Sequence, residues 1–223
     1  MEAARHAYDA RMTDPRKQTV ASGYDRMAHR YLEWSQAIVD DPRHRMLEQF
    51  ARKVPRWARV LELGCGAGIP STRELARRFS VVGVDISSAQ VALAKELVPE
   101  AEFIQGDCTE IALPRAAFHG VVALYAISHV PRAQHARLFA DVYRWLAPGG
   151  LFLATLGASD SPEWTGEWLG EPMFFSSYDA ETNRQLLRAA GFELEIDDIE
   201  VTHEPEGDVG FLWILARKPA AVT

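Results

Sequence analysis

The chain has 223 residues, of which 48% are apolar and 25% charged, a composition typical of globular chains and not of disordered ones. Its 24 Lys and Arg residues against 31 Asp and Glu residues give a net charge of −7. That balance counts against a nucleic-acid backbone or an anionic membrane surface as partner, because both attract clustered basic residues.

The sequence also predicts neither a membrane span nor a metal site. Its longest uninterrupted apolar run, Val121–Ile127, is too short to cross a bilayer, and the first residues lack the apolar segment of a signal peptide. The two cysteines, Cys65 and Cys108, lie far apart and have no metal-ligand spacing. We therefore expect a reduced cytoplasmic chain, with a single disulfide between them as the alternative.

Residues 1–58 are predicted to form an N-terminal helical cap. Helical patterns cover Tyr24–Ser35 and Pro42–Lys53. The first 20 or so residues show little periodicity, and we expect them to be ordered only when a ligand is bound.

From Arg59 onward, short apolar runs alternate with helical patterns, which predicts parallel strands joined by crossover helices. The predicted strands are Val60–Leu63, Val81–Val84, Glu102–Gln105, Gly120–Ile127, Leu151–Leu156, Phe192–Val201 and Val209–Arg217. The predicted helices are Ser71–Phe79, Ser87–Val98, Gln134–Leu146 and Asp179–Ala190. Ser87 and Gln90 form a capping-box pattern at the start of one helix.

The link between the last two strands, Thr202–Asp208, is too short for a crossover helix, so these strands should pair antiparallel. The predicted fold class is therefore α/β: a doubly wound sheet of seven strands, six parallel and the last reversed. We assign residues 59–218 to this core, 157–178 within it to an inserted aromatic lid, and 219–223 to a tail.

The turn after the first strand carries the segment Val-Leu-Glu-Leu-Gly-Cys-Gly-Ala-Gly, residues 60–68. Its glycines allow a tight turn close to a ligand, and the following helix start offers free N–H groups. Asp85 lies 21 residues after Gly64, the spacing at which a carboxylate accepts hydrogen bonds from ribose hydroxyls. Ile69 stands where the dinucleotide fingerprint has its third glycine or alanine, which weakens the NAD(P) alternative without excluding it.

This segment resembles motif I of the class I S-adenosylmethionine-dependent methyltransferases, which have a Rossmann-like sheet. The resemblance extends to Val-Val-Gly-Val-Asp-Ile-Ser at 81–87, Gln-Gly-Asp-Cys at 105–108, Leu-Ala-Pro-Gly-Gly at 146–150 and the antiparallel C-terminal strands. It covers about Tyr24 to Lys218 and implies S-adenosylmethionine as cofactor and S-adenosylhomocysteine as product.

The same resemblance implies roles for individual residues. Glu62 and the glycines would line the methionine moiety, Asp85 would hold the ribose, Ile86 would contact the adenine, and Asp107 with the backbone of Cys108 would bind the adenine edge. Tyr24 would close over the cofactor. The full set implied to bind it is Tyr24, Glu62, Gly64, Cys65, Gly66, Gly68, Asp85, Ile86, Asp107, Cys108 and Tyr125.

Candidate catalytic and substrate residues lie outside these motifs. His129 follows the fourth strand, whose end should border the pocket, and its imidazole suits a general base at neutral pH; anchoring the next helix is the alternative. The aromatic segment around 161–178 is predicted to cover a small, apolar or planar substrate. The predicted substrate residues are Tyr31, Trp164, Trp168, Met173 and Phe174.

The sequence after strand four lacks the Asp/Asn/Ser-Pro-Pro-aromatic run seen where the methylated group is a nucleobase amine. The hypothesis is therefore a methyltransferase acting on O or N of a small metabolite, as a monomer or homodimer, with no nucleic-acid or membrane partner. Two alternatives stay open: an NAD(P)-dependent oxidoreductase, and a module that binds S-adenosylmethionine without catalysis.

Overall fold

The computed structural model describes residues 14–205 and 207–220, and begins with two helices, α1 (Pro15–Gln36) and α2 (Arg43–Lys53). The Asp14 side chain accepts a hydrogen bond from the Arg16 N–H at 3.0 Å, and Pro15 occupies the first helical position. This cap starts the helix ahead of the periodic segment Tyr24–Ser35, so residues 15–20 are helical. Residues 1–13 lie outside the described residues.

The core elements follow the predicted alternation, with small differences at their ends. They are β1 (Arg59–Leu63), α3 (Ser71–Ala76), β2 (Ser80–Asp85), α4 (Ser88–Leu97), β3 (Glu102–Gln105), β4 (Phe118–Ala123), α5 (His135–Trp145), β5 (Leu146–Gly157), β6 (Ser161–Trp168), β7 (Glu171–Ser177), α6 (Ala180–Ala189), β8 (Glu193–Glu204) and β9 (Gly207–Arg217). Within the described chain, no helix has the length and apolar character needed to cross a membrane.

Seven strands form one sheet in the order β3-β2-β1-β4-β5-β9-β8. The first five are parallel to one another, whereas β9 is antiparallel to both β5 and β8. This confirms the prediction of a doubly wound sheet in which the last strand is reversed. The strand order changes direction between β1 and β4, which opens a crevice at their carboxyl ends.

Apolar side chains cover both faces of the sheet. One layer packs α5 and α6 on it through Phe139, Trp145 and Leu187, and the other packs α2 and α3 through Phe50 and Leu75. All five side chains are at most 2% exposed. Packed apolar side chains therefore support both faces of the sheet whose strand ends form the crevice.

The predicted aromatic lid is a regular element, not an irregular segment. β6 and β7 pair antiparallel as a separate two-stranded sheet, and Met173 and Phe174 of β7 pack against Val20, Tyr24 and Met27 of α1. Helix α1 and this hairpin thus form one packed unit beside the carboxyl ends of the main strands.

Candidate active site

The loop after β1 approaches the end of β4 very closely at Gly64. Its φ of +68° is a left-handed conformation, and a Cβ atom built there would lie 2.3 Å from the Cβ atom of Ala126. Its N–H donates to the Val84 carbonyl at 2.8 Å, which fixes the turn onto β2. Only glycine satisfies both the conformation and the space.

We expect Gly64→Ala to lower the melting temperature and to abolish binding of S-adenosylhomocysteine, because the added methyl group must displace this loop. Gly149→Ala is the matched control: Gly149 also has a positive φ, +79°, yet no atom lies within 4 Å of its built Cβ. It should show the conformational cost alone, about 1–2 kcal/mol, and keep ligand affinity. Thermal denaturation and titration calorimetry measure both effects; equal behaviour of the two variants would contradict the assignment.

Asp85 ends β2 and joins the two loops at the crevice. Its Oδ2 accepts the Gly66 N–H at 2.8 Å, and its Oδ1 accepts the Ser87 N–H at 2.9 Å. Burial raises the pKa of this carboxyl to about 6, since desolvation outweighs the stabilising hydrogen bonds. The carboxylate therefore shapes the glycine loop and still has lone pairs for a ligand.

Asp107, after β3, is held by a second network. Its Oδ1 accepts hydrogen bonds from both the N–H and the hydroxyl of Thr109, each at 2.8 Å. Its Oδ2 lies 2.6 Å from Nζ of Lys17, a residue of α1.

A narrow cavity runs along these carboxylates beneath α1. Most residues implied by the resemblance line it, namely Tyr24, Gly64, Gly66, Asp85, Ile86, Asp107, Cys108 and Tyr125, and so do Lys17 and the candidate base His129. We call this the inner cavity.

Three implied cofactor residues lie elsewhere. Glu62 and Cys65 line a small neighbouring pocket next to the glycine loop. Gly68 lies against α4, where a Cβ atom built on it would be 3.0 Å from the Val98 side chain. Burial raises the pKa of Glu62 to about 7, and its carboxyl accepts the Thr72 hydroxyl. Burial also raises the pKa of the Cys65 thiol, so it is not an activated nucleophile.

His129 is hydrogen-bonded through both ring nitrogens. Nδ1 lies 3.0 Å from the Phe174 carbonyl, and Nε2 lies 2.8 Å from the Tyr24 hydroxyl. A carbonyl only accepts, so Nδ1 carries the proton and Nε2 accepts the proton of Tyr24. Burial lowers the pKa of His129 to about 4 and raises that of Tyr24 well above its usual value. At neutral pH both groups are therefore uncharged.

Tyr125 lines the inner cavity and is held by a cluster of charged residues. It has a φ of +57°, which is rare for a tyrosine and ends β4 four residues before the predicted end. Its hydroxyl donates to Asp41 at 2.9 Å, and the Arg43 guanidinium lies 5.0 Å from its ring centre. Asp41 also pairs with Arg43 at 2.7 Å. Asp41, in the loop before α2, and Arg43, the first residue of α2, thus hold the Tyr125 ring in place.

A second, larger cavity of about 510 Å³ adjoins the inner one, a volume within the range of small-molecule sites. We call it the outer cavity. Its walls include seven aromatic side chains: Tyr24, Tyr31, Trp34, Tyr125, Trp168, Phe175 and Phe211. Tyr24, Tyr31, Tyr125 and His129 line both cavities.

The predicted substrate residues divide into two groups. Tyr31 and Trp168 line the outer cavity. Trp164 lies outside it, 43% exposed with its ring against Phe175, while Met173 and Phe174 are buried against α1. The part of β7 that lines the outer cavity is Phe175, Ser176 and Ser177, immediately after the two predicted positions.

Sequence reasoning missed Lys17, Asp41, Arg43, Trp34 and Phe175. A signal existed for Lys17, because it begins the stripe of Val20, Tyr24, Met27 and Tyr31 at helical spacing. Asp41 and Arg43 carry no local signal, since charged residues near a helix start usually face solvent.

Comparison with known proteins agrees with this geometry. A family model described as a methyltransferase domain matches residues 60–150, which include the glycine loop, both acidic loops and β4. This match and the relatives below support a class I S-adenosylmethionine-dependent methyltransferase.

Two curated relatives are similar to parts of the chain. Trans-aconitate 2-methyltransferase of Variovorax paradoxus is 38% identical over 128 residues, which cover 54% of this chain and 48% of that protein. The 27-O-demethylrifamycin SV methyltransferase of Amycolatopsis mediterranei is 30% identical over 160 residues, or 62% and 58% of the two chains. The chain thus spans about half the length of the curated relatives it matches.

A solved structure shares the fold over most of the chain. The 1,6-didemethyltoxoflavin-N1-methyltransferase of Burkholderia thailandensis, with bound 1,6-didemethyltoxoflavin and S-adenosylhomocysteine, has a TM-score of 0.67 at 21% identity. The alignment covers 89% of this chain and 87% of that one.

Proposed function

We propose that this chain is an S-adenosylmethionine-dependent methyltransferase that methylates an oxygen or nitrogen of a small molecule. The observation that carries the proposal is the Tyr24–His129 pair, which lines the inner and the outer cavity where the two meet. The relatives described above are named as methyltransferases of small molecules, which supports the same class of substrate.

The residues of the inner cavity fit the cofactor. Asp85 retains lone pairs for ribose hydroxyls, the glycine loop allows close backbone approach, and buried Oδ2 of Asp107 accepts no hydrogen bond from the described residues beyond its ion-pair contact. Ile86 would contact the adenine. The bound cofactor supplies an electrophilic methyl group, so the protein must mainly align the acceptor atom and exclude water.

Tyr24 and His129 would remove the proton that the acceptor atom loses. The Tyr24 oxygen accepts this proton while its own proton passes to Nε2 of His129, and the Phe174 carbonyl holds the Nδ1 proton in place. Burial keeps His129 neutral at physiological pH, so the lone pair of Nε2 is available for this proton, while the same burial makes the imidazole a weaker base than a solvated histidine. His129, which the sequence suggested as the general base, thus acts together with Tyr24 and not directly on the acceptor.

The outer cavity would hold the methyl acceptor. Its rings favour a planar or largely apolar molecule, and Trp34, Trp168 and Phe175 are among them. The buried Arg43–Asp41 pair fixes Tyr125 between acceptor and cofactor. Met173 and Phe174 then hold the hairpin against α1, and Trp164 contacts the cavity residue Phe175.

Two experiments test the proposal. The first is calorimetric titration with S-adenosylhomocysteine. The second incubates the protein with S-adenosylmethionine and a set of small phenols, carboxylic acids and amines, and measures the S-adenosylhomocysteine formed. We expect micromolar or tighter binding and turnover of at least one acceptor class. Absence of binding would overturn the proposal, and binding of NADH instead would favour the oxidoreductase alternative.

The affinity for S-adenosylhomocysteine should fall as the pH drops below about 6. Asp85, with its pKa raised to about 6, loses its charge in this range and becomes a weaker acceptor for hydroxyl groups. The limiting slope is about tenfold per pH unit if only the ionised form binds. Titrations at pH 5–8 measure it, and Asp85→Asn is the control, because its affinity should lose this dependence. An equally steep fall in that variant would assign the titration to another group, such as Glu62.

A further inference from the structure

Lys17 is a buried cation on the covering helix. It begins the buried stripe of α1, its side chain is only 5% exposed, and it lines the inner cavity together with Asp107 and Cys108. Lysine is seldom buried unless its charge is paired, so this position requires a specific partner.

That partner is Asp107, within a closed network of three side chains. Nζ of Lys17 lies 2.6 Å from Oδ2 of Asp107 and donates to the Thr109 hydroxyl at 2.6 Å, and this hydroxyl donates in turn to Oδ1 of Asp107. The exposed Glu110 carboxylate lies 3.5 Å from Nζ. The network also joins α1 to the loop after β3, across 92 residues of sequence.

The network leaves Asp107 with one acceptor site. An ionised carboxylate has about four lone-pair positions. The Thr109 N–H and hydroxyl occupy those of Oδ1. Buried Oδ2 lies 2.6 Å from Nζ of Lys17 as an ion pair and accepts no hydrogen bond from the described residues, so it is the oxygen left for a ligand.

We infer that Lys17 is a positioning residue that makes the inner cavity selective for a 6-amino purine over a 6-oxo purine. Its contacts with Oδ2 of Asp107 and with the Thr109 hydroxyl hold this acceptor oxygen in place for a 6-amine, which donates a hydrogen bond, whereas a 6-oxo group only accepts. The inference rests on the proposed function, because it concerns the adenine of the cofactor.

Removal of the lysine should weaken this selectivity. Without Nζ of Lys17, α1 no longer holds Oδ2 of Asp107 or the Thr109 hydroxyl, and the carboxyl group can turn away from a 6-amine. The preference for the 6-amino purine should then fall, whereas a purely structural role of Lys17 would weaken binding of both ligands equally.

The test compares S-adenosylhomocysteine with S-inosylhomocysteine, in which an oxo group replaces the 6-amine, by titration calorimetry. The wild type should prefer the adenosyl ligand by about 10- to 100-fold, the range of one hydrogen bond to a charged group. In Lys17→Met this preference should fall to about threefold or less. Lys53→Met, which removes a lysine from the surface pair with Glu195, is the matched control and should keep the wild-type ratio.

The outcomes separate this inference from the proposed function. Wild-type protein that binds neither ligand overturns both. Wild-type protein that prefers the adenosyl ligand, with the same ratio in Lys17→Met, overturns only the role of Lys17. If Lys17→Met does not fold, Thr109→Val serves instead, since it removes the hydroxyl that links Lys17 to Asp107 and should lower the ratio at least threefold; an unchanged ratio there overturns the inference.

Discussion

Replacement of His129 by glutamine is expected to lower kcat by about 10²- to 10⁴-fold, the usual contribution of a general base. The variant removes the nitrogen that accepts the Tyr24 proton, while the inner cavity keeps its acidic loops. Binding of S-adenosylhomocysteine should therefore change little. The rate of its formation at saturating substrates, with the acceptor found in the screen, is the measurement.

Tyr24→Phe should have a similar effect on kcat, and the double variant should be hardly slower than either single one. Residues that act as a unit show this non-additivity, whereas independent contributions multiply. His135→Gln is the control: this histidine is also buried, with Nε2 2.9 Å from the Val130 carbonyl, and it lines neither cavity. It should cost stability and leave kcat near wild type. Multiplicative effects of Tyr24 and His129 would show that they do not form one relay.

Replacement of Asp85 by alanine is expected to weaken binding of S-adenosylhomocysteine by about 10²- to 10⁴-fold. The two hydrogen bonds expected from the ribose hydroxyls of the ligand to this charged acceptor are lost, and each contributes about 1.5–3 kcal/mol. The same change releases the N–H groups of Gly66 and Ser87, so the glycine loop loses its attachment to β2 as well. Titration calorimetry measures the affinity, and circular dichroism shows whether the fold is retained.

Asp85→Asn distinguishes the two contributions, since its amide oxygen can still accept one loop N–H but carries no charge. We expect an intermediate loss of affinity. Asp141→Ala, which removes a carboxylate paired with Arg144 on α5, should bind like the wild type. An Asp85→Ala protein with wild-type affinity would refute the role of this carboxylate.

The differences between sequence and structure have identifiable physical causes. The strand after Phe118 was predicted to continue to Ile127 because its residues are apolar, yet Tyr125 adopts a left-handed backbone and the strand ends at Ala123. Hydropathy carries no information on this backbone conformation. In the structure it occurs together with the contacts that the Tyr125 side chain makes with Asp41 and Arg43. Likewise, the richness of 161–178 in aromatic residues indicated contact with a ligand, but the pairing of β6 with β7 decides that Phe175 and Trp168 face the cavity.

The strand–helix alternation, the reversed last strand, the glycine loop and the two acidic loops could be predicted from the sequence, because they depend on local periodicity and on residues close together in the chain. The side chains that face these loops could not be predicted. Tertiary contacts join Tyr24 to His129 across 105 residues and Lys17 to Thr109 across 92, and they bring Arg43 to the lining of the outer cavity. Such contacts arise when helix α1 packs against the sheet ends and the hairpin, and the spacing of residues along the chain does not encode that packing.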